Sequence, residues 1–276
     1  MRILVTNDDG IDSIGLHVLA RSMQDLGHVV VAAPDQEYSG SGAGVGTLHI
    51  AHPEVHEVSI DGVDEAWSVT GAPALCVMFA GLGVFGSEPF DLVVAGINPG
   101  ANVGRSIYHS GTIGACLTAR NGGVSGVAVS QAVDNWGVEG QGFDDMLDSQ
   151  LWDTAGAVAA NFVGGFIADL PTEAEVVNIN VPNAPLADLR GWRRTEVGRP
   201  PARAMGTARR EPKEGHQRAY KIKMSWGEPA VLPEHIDGGA VMHGWVSVSY
   251  LDRIESVDSH SPAGKRAEAA LDDLLG

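Results

Sequence analysis

Residues 2–33 read RILVTNDDGIDSIGLHVLARSMQDLGHVVVAA, and the fold is decided within that stretch. Arg2–Thr6 is a short apolar run of the kind that fills a buried parallel strand. Leu16, Leu19, Met23 and Leu26 follow at spacings of 3, 4 and 3, which is one face of a helix, and Gly27 stands at the stop position. His28–Ala33 is a second strand, ended by Pro34. Strand, helix and strand within about 30 residues make a βαβ unit. Its crossover forces the two strands parallel.

The rhythm continues outward. Pro73–Val84 and Thr112–Arg120 read as helices, and Asp91–Ala95 and Val127–Ser130 as strands. Leu151–Ala168 reads as a longer helix, and Val176–Val181 as a strand stopped by Pro182. This predicts an α/β fold, a doubly wound and mostly parallel sheet with helices on both faces. Two stretches break the pattern. Tyr38–Gly46 (YSGSGAGVG) is too long for an ordinary connection. Residues 190–240 are rich in proline, while Tyr220–Ser225 and Trp245–Tyr250 alternate like strands. The expected division is a core over 1–189, a β-rich basic arm over 190–250 leaving the sheet, and a segment 251–276. That last segment carries an amphipathic helix, Ala263–Leu275, packing on the core or on a partner.

The 276 residues include 18 Lys+Arg and 35 Asp+Glu, a net charge of −17, which repels nucleic acid and anionic membrane alike. The charge is uneven, for 190–223 holds 11 basic and 3 acidic residues, a net +8. Asp8 and Asp9 interrupt the first apolar run, so a secretory signal is not expected there. No run approaches about 20 uncharged apolar residues, so neither is a membrane span. The expected address is the cytoplasm. Cys76 and Cys116 lie in apolar surroundings and read as buried core thiols.

In open parallel sheets, ligands sit beyond the carboxyl ends of the strands. The first strand is followed there by Asn7, Asp8, Asp9 and Gly10, and the second by Asp35 and Ser39-Gly40. Gly96-Ile97-Asn98-Pro99-Gly100-Ala101-Asn102 follows the strand at 91–95, and His109-Ser110-Gly111-Thr112 leads into a helix. Adjacent carboxylates repel unless a cation sits between them, and the nearest basic residues in sequence are Arg2 and Arg21. A hard divalent ion, Mg²⁺ or Mn²⁺, suits carboxylates with neutral oxygens from Ser39 and Asn98. Alternatively, Asn-Asp-Asp-Gly is only a polar turn. Ser110-Gly111-Thr112 offers backbone N–H groups and hydroxyls at a helix start, which is either a phosphate seat or an ordinary N-cap. A cation and an anion seat in one crevice imply phosphoester chemistry. GxxxxGK[ST], a dinucleotide-type G-x-G-x-x-G, a D-x-D nucleophile and G-x-S-x-G are all absent, which sets aside the enzymes built on them.

Four motifs then stand in order. They are Ile3–Gly10, Ala33-Pro34-Asp35 with Ser39-Gly40, Gly96-Ile97-Asn98 with Gly100 and Asn102-Val103-Gly104, and Ser110-Gly111-Thr112. Together they resemble the signatures of the SurE survival-protein phosphatases, with weaker likeness at Asn178–Pro182 and Gly244–Val248. The resemblance implies a three-layer Rossmann-like core and a C-terminal arm exchanged between subunits, giving a homodimer or homotetramer. It implies a nucleotidase acting on nucleoside 5′- and 3′-monophosphates, and in some members on short polyphosphate. One divalent ion per subunit would be held by Asp8, Asp9, Ser39 and Asn98. Asn7, Gly40, Asn102, Ser110, Gly111 and Thr112 would hold the phosphate, with Asp8, Asp9, Asn98 and Ser110 as the catalytic set. The chain departs from the family pattern at Tyr38, at Gly71–Leu75 (GAPAL) and at His109. A nucleotide-binding sensor on the same fold, without turnover, is the alternative.

Overall fold

β1 (Arg2–Thr6) runs through the middle of a nine-stranded sheet, and all its residues are buried. Ile3 and Val5 join one apolar core and Leu4 the other. An uninterrupted apolar run is what two covered faces require. β2 (His28–Pro34) divides the same way, with Val29, Val31 and Ala33 on one side and Val30 and Ala32 on the other. The computed structural model describes residues 1–134, 147–199, 203–258 and 261–275. Small parts of the three expected divisions therefore lie outside the described residues.

The other strands are β3 (Val55–Ile60), β4 (Val63–Val69), β5 (Leu92–Pro99), β6 (Ser125–Gln131) and β7 (Val176–Val181), then β8 (Trp192–Arg194), β9 (Arg203–Pro212), β10 (Tyr220–Pro229) and β11 (Val246–Leu251). The sheet order is β3-β4-β2-β1-β5-β6-β7-β11-β8. The six strands from β4 to β7 in that order are parallel, while β3 and β11 run antiparallel to β4 and β7. The chain winds from β1 toward β2 and later returns to β5 on the other side, so the order reverses at β1. That reversal opens a crevice at the carboxyl ends of β1 and β5.

Helices cover both faces, as the sequence predicts. α1 (Ile14–Met23) and α5 (Trp152–Phe166) lie on one core; α3 (Pro73–Gly81) and α4 (Gly111–Asn121) lie on the other. α2 (Leu48–Ala51) is a single turn. Leu16, Leu19 and Met23 on α1 are fully buried, each worth about 1.5–3 kcal/mol. Cys76 and Cys116 are free, buried thiols, and burial pushes both up from their ordinary range.

Two findings go beyond the sequence reading. The β3–β4 hairpin at 55–69 was not anticipated, although Asp61-Gly62 between alternating residues is a hairpin signal. The stretch 190–250 is also not one excursion. β8 and β11 belong to the main sheet, because Val246 and Val248 enter the core while Ser247 and Ser249 bond Thr195 at 2.8 Å. Only β9 and β10 leave it, as a separate two-stranded ribbon. α6 (Asp237–Met242) precedes β11, and α7 (Pro262–Leu275) ends the chain. α7 leaves Leu271, Leu274 and Leu275 exposed, so it does not pack on the core.

One buried carboxylate ties the C-terminal segment to the crevice. Asp237 is 1% exposed, and its Oδ2 accepts from Gly104 N–H at 2.7 Å. Its Oδ1 accepts from Gly198 at 3.0 Å and Gly238 at 2.7 Å. Asp237→Ala strands three buried N–H groups, so we expect a loss of at least about 2 kcal/mol in urea unfolding. Asp237→Asn, with one acceptor oxygen, should fall between.

Candidate metal and phosphate site

Asp8 leaves the end of β1 and lays its carboxylate on the start of α4. Oδ2 accepts from Gly111 N–H at 2.9 Å, and Oδ1 accepts from the Thr112 hydroxyl at 2.5 Å. Asp8 is 2% exposed and thus sits at the positive end of the helix dipole. No side chain fits at 111, where a Cβ would lie 2.7 Å from both Asp8 Cβ and Ser41 Oγ. At 114 a Cβ would come within 2.0 Å of the Gly42 carbonyl oxygen. Tyr38 N–H donates to the Asp8 carbonyl at 2.7 Å, and Gly42 N–H to the His109 carbonyl at 3.1 Å. The long Gly/Ser loop is therefore pressed between the end of β1 and the start of α4.

The two expected anion-seat donors, Gly111 N–H and Thr112 Oγ1, thus serve the protein's own carboxylate. Ser110 acts as the N-cap, its Oγ accepting from Ile113 N–H at 3.1 Å. That bond leaves the Ser110 O–H proton free to be donated elsewhere. The sequence shows donors at a helix start but not which anion they meet.

Asp9 has no such support. Its Oδ2 is buried and meets no donor. Burial, then the charges of Asp8 and Glu37, push its carboxyl up to about 9. Asp8 is also raised by burial, against the opposing bonds from Thr112 and Gly111. Asn7 donates Nδ2 to the Gly10 carbonyl at 3.0 Å, which leaves its Oδ1 without a partner, and Ser41 Oγ is likewise unpartnered. Among the described residues no Lys, Arg or His pairs with either aspartate. No group of three His, Cys, Asp or Glu side chains gathers there or elsewhere among them. Two carboxylates with spare amide and hydroxyl oxygens fit a hard divalent cation rather than zinc.

The loop after β5 is held from below. Asn98 donates Nδ2 to the Gly100 carbonyl at 2.6 Å, leaving Oδ1 as the spare oxygen. Gly100 N–H donates to the Gln131 carbonyl at 2.7 Å. Asn102 N–H donates to Asn180 Oδ1 at 2.7 Å, and its Nδ2 to Ser130 Oγ at 3.0 Å. Its carbonyl accepts from Asn178 at 2.9 Å and Asn180 at 3.2 Å. Ser39 and Gly40 are exposed on the loop after β2, and Ser39 N–H donates to Glu37 Oε1 at 3.2 Å. His109 is exposed beside the α4 start.

Residue reasoning missed Ser41, Glu37, Asp237 and the Asn178–Asn180 pair. Two asparagines at alternate positions inside the apolar strand VVNINV were the signal available. A cleft of about 190 Å³ opens beside Asp9, bounded by Asp12, Glu37, Pro99 and Trp152. A larger cavity of about 890 Å³ lies between α5 and the β7–β11 edge. Its walls are mostly apolar and include none of the predicted site residues.

A carboxyl raised in the folded state favours folding while protonated. Its contribution is full below the ordinary value of 3.8 and is lost as pH rises toward 9. In EDTA, thermal melts should therefore fall in midpoint from pH 5 to pH 9. Asp9→Asn should flatten that slope and raise the midpoint at pH 8.

The chain matches the family model described as "Survival protein SurE" over residues 3–203. It is 38% identical to the 5′-nucleotidase SurE of Rhodopirellula baltica over 184 residues, 67% of each chain. It is 36% identical to that of Acinetobacter baumannii over 258 residues, 90% of this chain and 92% of the relative. It is 32% identical to that of Haemophilus influenzae over 253 residues, 90% of each. The crystal structure of the SurE protein from Aquifex aeolicus aligns at a TM-score of 0.72 and 26% identity, covering 99% of this chain and 100% of that one. All four strand-end clusters fall inside the matched span, and the chain belongs to the SurE survival-protein family.

Proposed function

We infer that the chain is a divalent-metal-dependent phosphomonoesterase that releases phosphate from nucleoside 5′- and 3′-monophosphates. The observation carrying this reading is the set of partnerless buried oxygens on Asn7, Asp9 and Ser41 beside the helix-held Asp8. Relatives named 5′-nucleotidase, aligned over most of their length, supply the nucleotide and disfavour a sensor without turnover. Asp8, Asp9, Ser39 and Asn98 are the proposed ligands of one Mg²⁺ or Mn²⁺ per subunit. When bound, the ion neutralises phosphoryl oxygens and lowers the pKa of water.

The chain's own residues do the rest. Asp8 is immobilised by Gly111 and Thr112, so its position does not shift as charge develops on the substrate. Asp8 and Asp9 orient the water that attacks phosphorus in line, and one of the two carboxylates takes its proton. The phosphorus–ester oxygen bond breaks, and the leaving alkoxide oxygen takes up a proton from solvent water to become the hydroxyl of the product. Ser110 donates its free O–H to a phosphoryl oxygen, with Gly40 N–H completing the seat. Asn98 and Asn102 hold the third wall; Asn102, bonded on its N–H, carbonyl and amide, keeps that wall rigid.

The same reading includes a homodimer or homotetramer through the arm. A two-stranded ribbon alone is marginal in water. β9–β10 has no third strand among the described residues, and it carries a basic strip on an acidic chain. Opposite potentials favour its docking on a second copy. No helix among the described residues is long and apolar enough to cross a membrane, and two free thiols suit the reducing cytoplasm.

Excess EDTA or Asp9→Ala should lower phosphate release from AMP by about 10²-fold or more. An unchanged rate in excess chelator overturns the metal-dependent reading. Deleting 203–229 should shift the chain to monomer in analytical ultracentrifugation.

A further inference from the structure

We propose that Ser130 is a positioning residue of the phosphate seat, whose buried hydroxyl holds the Asn102 side-chain amide so that its second N–H meets a phosphoryl oxygen of the substrate. The proposal rests on the phosphomonoesterase reading and adds how that site completes its set of donors.

The start of α4 alone is short of donors. Gly111 N–H and Thr112 Oγ1 are spent on Asp8, which leaves the Ser110 hydroxyl there for an anion. A transferring phosphoryl group spreads its charge over three oxygens, and donors fixed in place before the reaction stabilise that charge best. Asn102 stands on the loop between Asn98, a proposed ion ligand, and Ser110. Its Nδ2 carries two hydrogens, and one goes to Ser130 Oγ at 3.0 Å. The other meets no acceptor among the described residues. Asn102 is 8% exposed and Ser130 0%, so the bond runs from the loop into the interior.

Strand register puts Ser130 where it can do this. It pairs with Asn98 on one side and Asn180 on the other, so the three stand in a row across β5, β6 and β7. Ala128, two residues earlier on β6, belongs to the core under α3 and α4, so Ser130 faces α4 and the loop that leads to it. Asn180 fixes that loop's backbone. Its Oδ1 accepts from Asn102 N–H at 2.7 Å and its Nδ2 donates to the Asn102 carbonyl at 3.2 Å, as a neighbouring strand would. Asn178 donates to the same carbonyl at 2.9 Å. With the backbone held, the side-chain torsions of Asn102 are what remains free, and the bond to Ser130 fixes them. A buried hydroxyl is costly unless bonded, and Asn102 is the side-chain partner that the Ser130 hydroxyl has among the described residues. An amide oriented before the substrate arrives binds the developing charge without first giving up its own rotational freedom.

The test is a double-mutant cycle on wild type, Ser130→Ala, Asn102→Ala and the variant carrying both. For each, kcat/KM is measured for p-nitrophenyl phosphate and AMP with Mg²⁺ and with Mn²⁺. Calorimetry gives the Kd of inorganic phosphate in Mn²⁺, and electron paramagnetic resonance gives the Kd of Mn²⁺ alone. Asn102→Ala should lower kcat/KM by about 10²-fold. Ser130→Ala should lower it about tenfold and weaken phosphate binding by a similar factor, with Mn²⁺ affinity unchanged. The variant carrying both should be no worse than Asn102→Ala alone, because Ser130 acts through that amide. A merely structural serine would move the melting midpoint and leave phosphate affinity where it was. Additive losses, or an unchanged phosphate Kd in Ser130→Ala, overturn the proposal while leaving the phosphatase reading in place. Should Ser130→Ala fail to fold, Ser130→Cys decides in its place, since it fills the same space with a poorer acceptor. Wild type releasing no phosphate from either substrate with either ion overturns the phosphatase reading itself, and this proposal with it.

Discussion

The Asp8 carboxylate on the first turn of α4 is the interaction on which the site depends. It joins the end of β1 to a helix more than a hundred residues away, through Gly111 N–H and the Thr112 hydroxyl. A carboxylate there satisfies donors that a helix start otherwise leaves orphaned, and it lies at the favourable end of the helix dipole. The cost falls on its neighbour. Asp9 is buried next to that charge with an oxygen that meets no donor, and burial with Asp8 and Glu37 raises its carboxyl to about 9. One aspartate is held by donors of the fold, and the other keeps an oxygen that none of them reaches.

The walls around this pair are fixed by small close approaches and by amides. Gly111 and Gly114 let Ser41 and Gly42 come within contact of α4, which holds the Gly/Ser loop over the end of β1. Asn178 and Asn180, on β7, reach Asn102 and hold the loop after β5. Asp237 binds that loop's continuation at Gly104 to Gly198 and Gly238. The site is therefore built partly from the C-terminal segment, although none of its expected ligands lies there. A change at the root of the arm can reach the loop after β5 through one buried carboxylate.

Much of the fold was legible because a sheet covered on both faces needs apolar runs without alternation. RILVT and HVVVAA are such runs, and helical spacing between strands forces the crossovers. The edges were less legible. β3 carries His56, Glu57 and Ser59 on an exposed border, so its burial pattern is weak, and β8 is only three residues long. Both are strands because of their neighbours rather than their own composition. The candidate site residues drew notice for a different reason: Asp8-Asp9, Ser39-Gly40 and Asn98 are polar groups placed at or just after the ends of apolar strands, and Ser110–Thr112 stands at a helix start.

The sequence by itself determined the βαβ winding, the mostly parallel doubly wound sheet, and the kinds of oxygen and nitrogen that stand beyond its strand ends. Periodicity and composition act locally along the chain, so they can be read from it. Only the tertiary structure decided which donor meets which acceptor. Gly111 and Thr112 turn to Asp8, Asn102 is locked by four bonds, and Asp237 reaches across from α6. Hydrogen-bond partners separated by more than a hundred residues are set by packing, because a bond's direction and length depend on where two distant segments come to rest.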